Sequence, residues 1–155
     1  KGLSGGLLNN AAACFAFMQQ YPTVVPIWGI QREEELDQWL TLSENPPAMT
    51  PELQAVIDRD RQELSGEFCR SCGYCLPCAA GIDIPQAARM SALLRRSPYQ
   101  PYMSDTWYAK MHQIEHCVHC DACKSRCPYG LDTPALLVRQ LADYAAFYAA
   151  HHNDR

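Results

Sequence analysis

Two short cysteine motifs contain most of the side chains in this sequence that could do metal chemistry. Of the nine cysteines in the 155-residue chain, eight fall within CRSCGYCLPC, residues 69–78, and CVHCDACKSRC, residues 117–127. Cysteines at steps of three or four residues would close very small loops as disulfides, and would restrict the unfolded chain comparatively little. The motifs are therefore predicted to supply thiolate ligands, which fits a reducing cytoplasm.

The second motif has the spacing of an iron–sulfur ligand run. Its four cysteines and the following Pro128 reproduce the C-x2-C-x2-C-x3-C-P arrangement of bacterial ferredoxins. Gaps of two residues let three successive thiolates curl around one cluster, while backbone amides offset its negative charge. In two-cluster ferredoxins the fourth cysteine serves the other cluster. This pattern predicts two 4Fe-4S clusters, one held by Cys69, Cys72, Cys75 and Cys127 and the other by Cys117, Cys120, Cys123 and Cys78.

Alternatives to this crossed assignment remain open. Each motif could hold its own cluster, and the first motif departs from the pattern because Ala79 replaces the usual proline after Cys78. Zinc is the rival metal, although all-cysteine zinc sites normally pair two short hooks across a longer spacer. A redox role is the leading hypothesis. The alternatives are a purely structural pair of clusters and a zinc-stapled interaction module.

Composition excludes several classes of protein. The chain is 48% apolar, which allows a packed core and argues against overall disorder. Its net charge of −4 leaves no basic excess for nucleic-acid binding. The longest apolar run, Ala11 to Met18, is too short to span a bilayer. We therefore expect no nucleic-acid or membrane partner.

Periodicity and helix-start signals predict a mainly α chain that contains one strand. A helix is expected from Asn9 or Asn10 to about Tyr21, and the β-branched run Thr23–Ile30 reads as a buried strand. Acidic residues after Gln31 open the next helix. Further helices are predicted at 50–66, 84–96, 104–115 and 133–150. The expected domains are a βα section at 1–45, a linker helix at 46–66 and an all-helical two-cluster domain at 67–155.

The chain resembles aldo/keto reductases that carry a C-terminal ferredoxin-like domain. CRSCGYCLPCAAGIDIP and HCVHCDACKSRCPYGLDTPALL resemble that group's two cysteine segments, and KGLSGG and VVPIWGI resemble its last two barrel strands. The resemblance implies that residues 1–45 end a (β/α)8 barrel whose catalytic residues precede Lys1. This chain alone should then reduce no carbonyl compound.

The resemblance also implies partners and a cofactor. The chain would pass electrons between an external donor or acceptor protein and the barrel, as the electron-transfer module of an oxidoreductase. The full-length protein would use NAD(P), and the loop after the last strand would contact that cofactor. The implied cofactor-binding residues are Gly29, Gln31, Arg32 and Glu35, with Trp39 near the adenine-contact positions.

Overall fold

A computed structural model describes residues 7–30 and 32–153 and divides the chain into two compact units, Lys1–Ser65 and Gly66–Arg155. Within the described residues the regular structure is helical and contains no β-strand. None of these helices is both long and apolar enough to cross a membrane. The first unit contains α1 (Ala11–Met18), α2 (Glu33–Glu44) and α3 (Pro51–Glu63). The second contains α4 (Ile84–Ala87), α5 (Met90–Arg96), α6 (Asp105–His112), α7 (Ala122–Ser125) and α8 (Thr133–His151), with 3-10 turns at Gln100–Met103 and Gln113–His116.

The first unit packs α1 against α2 and α3. Helix α1 begins where expected, because the Asn10 side chain accepts a hydrogen bond from the Ala13 N–H at 2.8 Å. It ends at Met18, three residues before the predicted end. Helix α3 starts with its predicted cap, since Thr50 accepts from the Leu53 N–H at 3.3 Å. The helix that was expected to act as a linker thus packs within this unit, and the three-part domain division stays a prediction.

The predicted buried strand at Thr23–Ile30 is wrong. This segment is irregular, and its side chains Val25 and Ile27 are 89% and 78% exposed. A strand needs a neighbouring strand for its backbone hydrogen bonds, and no other described segment offers one. Within the described residues, the expected βα section at 1–45 therefore consists of α1, an irregular segment and α2. The KGLSGG segment lies outside the described residues.

The second unit is built around α8, against which α4, α5, α6 and α7 pack. Leu136, Leu137 and Tyr144 of α8 are buried, which confirms the apolar stripe predicted for this helix. The Tyr144 hydroxyl is satisfied, because it donates to the Tyr102 carbonyl at 2.8 Å. Cysteines of both motifs contact this core, so the two cysteine loops pack on the core to which α8 contributes.

Two predicted helices of this unit differ in detail. The helix expected at 84–96 is interrupted at Ala88 and Arg89, giving α4 and α5. One N–H group in the first turn of α5 has its partner on α8, because the Ser91 N–H donates to the Gln140 side chain at 2.8 Å. This tertiary bond has no local sequence signal. The helix expected at 104–115 is α6 continued by a 3-10 turn.

Candidate metal centres

Both cysteine loops turn through left-handed backbone at matching positions. Ser71 and Gly73 in the first motif have φ angles of 55° and 81°, and His119 and Asp121 in the second have 51° and 56°. Left-handed turns let neighbouring backbone N–H groups converge and form a concavity that favours negative charge, as at many iron–sulfur sites. The Ser71 N–H donates to the Cys69 Sγ at 3.4 Å. The loop backbone is thus arranged to stabilise thiolates.

The two motifs are an internal repeat that the sequence analysis missed. After its last cysteine each motif continues through a left-handed glycine, Gly81 or Gly130, into GIDIP or GLDTP and a helix. The N–H of each glycine donates to the carbonyl of that last cysteine, at 3.0 Å from Gly81 and 3.2 Å from Gly130. The second motif has one additional residue between its third and fourth cysteines. Alignment of the two sequences on their cysteines and glycines would have revealed the repeat.

One cavity brings together the first predicted ligand set. The fourth cysteine of the second motif lines the same cavity as three cysteines of the first, while Cys78 is not among its lining residues. The structure therefore groups the thiols as the crossed assignment predicts for this set. The four cysteines that line the cavity are Cys69, Cys72, Cys75 and Cys127.

The rest of the cavity wall adds apolar surface and no competing metal ligand of the carboxylate or imidazole type. Ile84, Leu131 and Leu136 supply apolar surface, and no carboxylate or imidazole lines the cavity. A donor set made only of thiols selects iron–sulfur clusters or zinc over metals that prefer oxygen ligands. Burial, with a smaller contribution from the nearby Cys69 thiol, raises the pKa of the Cys75 thiol to about 11. Metal binding at this set would therefore release protons.

The second ligand set is also drawn from both motifs. Burial is the main cause that raises the pKa of the Cys123 thiol, while backbone hydrogen bonds lower it. Cys117 and Cys78 lie close enough to raise this pKa as well. Cys120 lies exposed in the same loop. Cys123 in turn raises the pKa of Cys75, which indicates that the two sets are neighbours.

The predicted ligands are not arranged as a site for a single metal ion. Within the described residues, no three or more His, Cys, Asp or Glu side chains gather closely enough to hold one metal ion. No disulfide joins any of the nine cysteines, all of which are described. The ninth, Cys14, lies half-buried on α1, where burial raises the pKa of its thiol to about 11. It takes no part in either set.

The loop expected to contact NAD(P) forms no comparable site in the described residues. Gly29 adopts a left-handed φ of 75°, and Gln31 lies outside the described part. Arg32 forms an ion pair with Glu35 at 3.0 Å, so these two groups face each other. Glu33 and Glu34 add negative charge to the first turn of α2, which disfavours a phosphate there. Trp39 is buried and stacks on Trp28, with 4.0 Å between ring centroids.

Comparison with known proteins identifies one match. Residues 68–132 match the family model described as a 4Fe-4S dicluster domain. The matched segment contains both cysteine motifs and all eight proposed ligands. No curated protein and no solved structure matches the chain. The match supports iron–sulfur cluster binding by the second unit.

Proposed function

We propose that the second unit holds two 4Fe-4S clusters and carries single electrons for an oxidoreductase. The observation that carries this proposal is the cavity that groups Cys127 with the first motif. Such grouping is the ligand exchange found in two-cluster ferredoxins. When bound, each cluster would accept one electron from a reduced donor and give it to an oxidised acceptor. The family match supports the same cofactor.

The proximity of the two sets supports electron transfer between them. Cys75 of one set and Cys123 of the other interact electrostatically, so the clusters would be held side by side. Cys72 and Cys120 are exposed, which brings each set to the surface of the unit. A pair of adjacent centres that both reach the surface can receive an electron at one set and release it at the other.

The charge of the second unit suits this cofactor. Residues 66–155 contain nine Lys and Arg and eight Asp and Glu, whereas residues 1–65 contain four and nine. An oxidised 4Fe-4S core with four thiolates carries about −2, so two clusters would make a nearly neutral unit moderately negative. Backbone N–H groups such as that of Ser71 offset part of this charge at the sulfurs.

Anaerobic reconstitution with iron and sulfide tests the redox role. We expect brown protein whose broad visible absorption bleaches with dithionite and returns on reoxidation, with an EPR signal in the reduced state. Brown protein that dithionite does not reduce would favour a purely structural role for the clusters. Colourless protein that binds zinc instead would overturn the proposal.

We also propose that this unit serves an aldo/keto reductase barrel in the cytoplasm. The resemblance of residues 1–45 to the barrel end supports this, together with the exposed β-branched run that includes Val25 and Ile27. The free thiols fit a reducing compartment. Fragment complementation tests the proposal, with a barrel of that family whose last βα unit is deleted. We expect this chain to bind the truncated barrel, whereas no association would contradict the barrel assignment.

A further inference from the structure

The two cysteine motifs repeat each other in backbone but differ in the side chains at their rims. Around the first set lie Arg70, Tyr74 and Tyr129, the last of which follows Cys127 by two positions. At the equivalent positions around the second predicted ligand set, the repeat has residues that are smaller and uncharged. The equivalents of Arg70, Tyr74 and Tyr129 are Val118, Ala122 and Ala80, respectively.

The residues of this rim are exposed although two of them are large aromatics. Tyr74 and Tyr129 are 67% and 53% exposed, so covering the core does not account for them. Arg70 and Tyr129 line the cavity that holds the first cysteine set, and Tyr74 directly precedes Cys75 in the sequence. Tyr and Arg are the residue types enriched at the energetic centres of protein–protein interfaces.

Arg70 is held by two aromatic rings and one backbone carbonyl, and by no carboxylate that the structure describes. Its guanidinium carbon lies 5.3 Å from the Phe68 ring centroid and 5.5 Å from that of Tyr129. Its Nη1 donates to the Phe68 carbonyl at 3.2 Å. It forms no ion pair with any residue that the structure describes, and it is exposed. The cation is thus preorganised and free to pair with a carboxylate of another molecule.

We propose that the rim formed by Arg70, Tyr74 and Tyr129 is the docking surface for an acidic protein that carries single electrons. This inference rests on the proposed function. The electron would pass from the reduced carrier to the centre held by Cys69, Cys72, Cys75 and Cys127, or in the reverse direction, with no bond made or broken. The positive charge of Arg70 favours an acidic partner. Arg126, which precedes Cys127 in the sequence, is a second exposed arginine with no ion pair among the described residues.

Binding measured by calorimetry tests the docking surface without relying on turnover. The probe is an oxidised, acidic plant-type 2Fe-2S ferredoxin, titrated at low salt into the full-length, cluster-loaded chain. Arg70→Val should weaken binding roughly fivefold to tenfold, and the loss should shrink as salt rises. Arg70→Lys should keep most of the affinity.

The internal repeat supplies a matched control. The double variant Arg70→Val, Val118→Arg has the net charge of the unmodified chain but presents its arginine at the other set. We expect it to bind the ferredoxin as weakly as Arg70→Val does. Wild-type affinity in this double variant, or no effect of Arg70→Val, would overturn the docking surface. Iron content should be equal in all variants.

Reduction kinetics separate this inference from the proposed function. Dithionite is a small reductant that needs no docking surface, so in excess it should bleach the unmodified chain and Arg70→Val to the same extent. Reduced ferredoxin should bleach Arg70→Val roughly fivefold to tenfold more slowly. If dithionite bleaches neither protein, the proposed function itself fails. If both reductants act equally on both proteins, only the docking surface fails.

Discussion

The position of Cys127 distinguishes the crossed ligand assignment from one cluster per motif. It closes the second motif in sequence, yet it lines the cavity formed by the cysteines of the first. The reason lies in the chain itself, because the loop that ends at Cys127 is followed immediately by the segment leading into α8. Because α8 contributes to the core that both motifs contact, this short segment keeps Cys127 beside the cysteines of the first motif.

Double cysteine variants test this exchange. Cys127→Ser should remove about half of the iron, because only the cluster near Cys69 loses a ligand. Adding Cys72→Ser should remove little more, since both changes affect the same cluster, whereas adding Cys120→Ser should remove nearly all of it. Iron and visible absorption per chain are the measurements. The opposite ranking of the two double variants would show that each motif holds its own cluster.

Much of the site follows from residue types and spacing alone. The eight cysteines can be predicted as candidate ligands, because ligand spacing reflects the shape of the cluster more than the surrounding fold. The cavity groups Cys127 with the first motif, while the full crossed assignment stays a prediction. The orientation of Arg70 is not predictable in the same way, since it depends on two aromatic rings that the fold brings to it. The loop expected to bind NAD(P) is the opposite case. The resemblance implied Arg32 and Glu35 as cofactor-binding residues, but in the structure these two side chains pair with each other.

Helices α5 and α8 are joined by a bidentate ion pair between Arg95 and Asp143. Both terminal nitrogens of Arg95 donate to Asp143, each at 2.6 Å. The hydrogen bonds from Arg95 lower the pKa of the Asp143 carboxyl below its ordinary value. Because this carboxylate is about one-third exposed, solvent screens the pair, and we expect a contribution of about 0.5–1 kcal/mol.

Asp143→Asn should therefore lower the free energy of unfolding by about 0.5–1 kcal/mol at neutral pH. The folded-state pKa is depressed, so this contribution is present above the unfolded-state pKa and disappears as pH falls through the folded-state value. The difference between variant and unmodified chain should thus narrow below about pH 4, near the ordinary pKa of an aspartate. Urea unfolding at several pH values measures it.

Asp58→Asn provides the control for this comparison. Asp58 pairs with Arg61 one helical turn away at 3.4 Å, and both side chains are about 60% exposed. Removing such a pair should change the unfolding free energy by less than about 0.5 kcal/mol at any pH. An effect of Asp58→Asn as large as that of Asp143→Asn would contradict the role given to the α5–α8 pair.

The elements show where sequence reasoning stops. The ranges of α3 and α8 agree closely with the predicted ones because first-turn prolines and apolar periodicity are local signals. The strand at Thr23–Ile30 failed because its composition suits a sheet, while pairing depends on a neighbour that composition does not supply. The break between α4 and α5 was missed because its hydrogen-bond partner, Gln140, lies on a distant helix.

At the scale of the whole molecule, cluster binding should stabilise the two units unequally. The cysteine loops pack on the core of the second unit, so clusters that hold these loops in place should stabilise that unit against unfolding. The first unit has its own core, which includes the buried Trp39 and the alanine face of α1, and it contributes none of the eight proposed ligands.

Hydrogen exchange before and after cluster removal by an iron chelator tests this expectation. Peptides from residues 66–132 should lose protection by at least about tenfold, because local opening then costs less free energy. Peptides from α1 and α3 should keep their exchange rates. Equal loss of protection in both units would contradict the confinement of the clusters to the second.

The eight thiols are proposed to hold two cubane clusters. Iron and acid-labile sulfide per chain after anaerobic reconstitution test this proposal. We expect about eight of each, since each 4Fe-4S cluster contributes four irons and four sulfides. About two zinc ions per chain with no sulfide, or iron without matching sulfide, would contradict it.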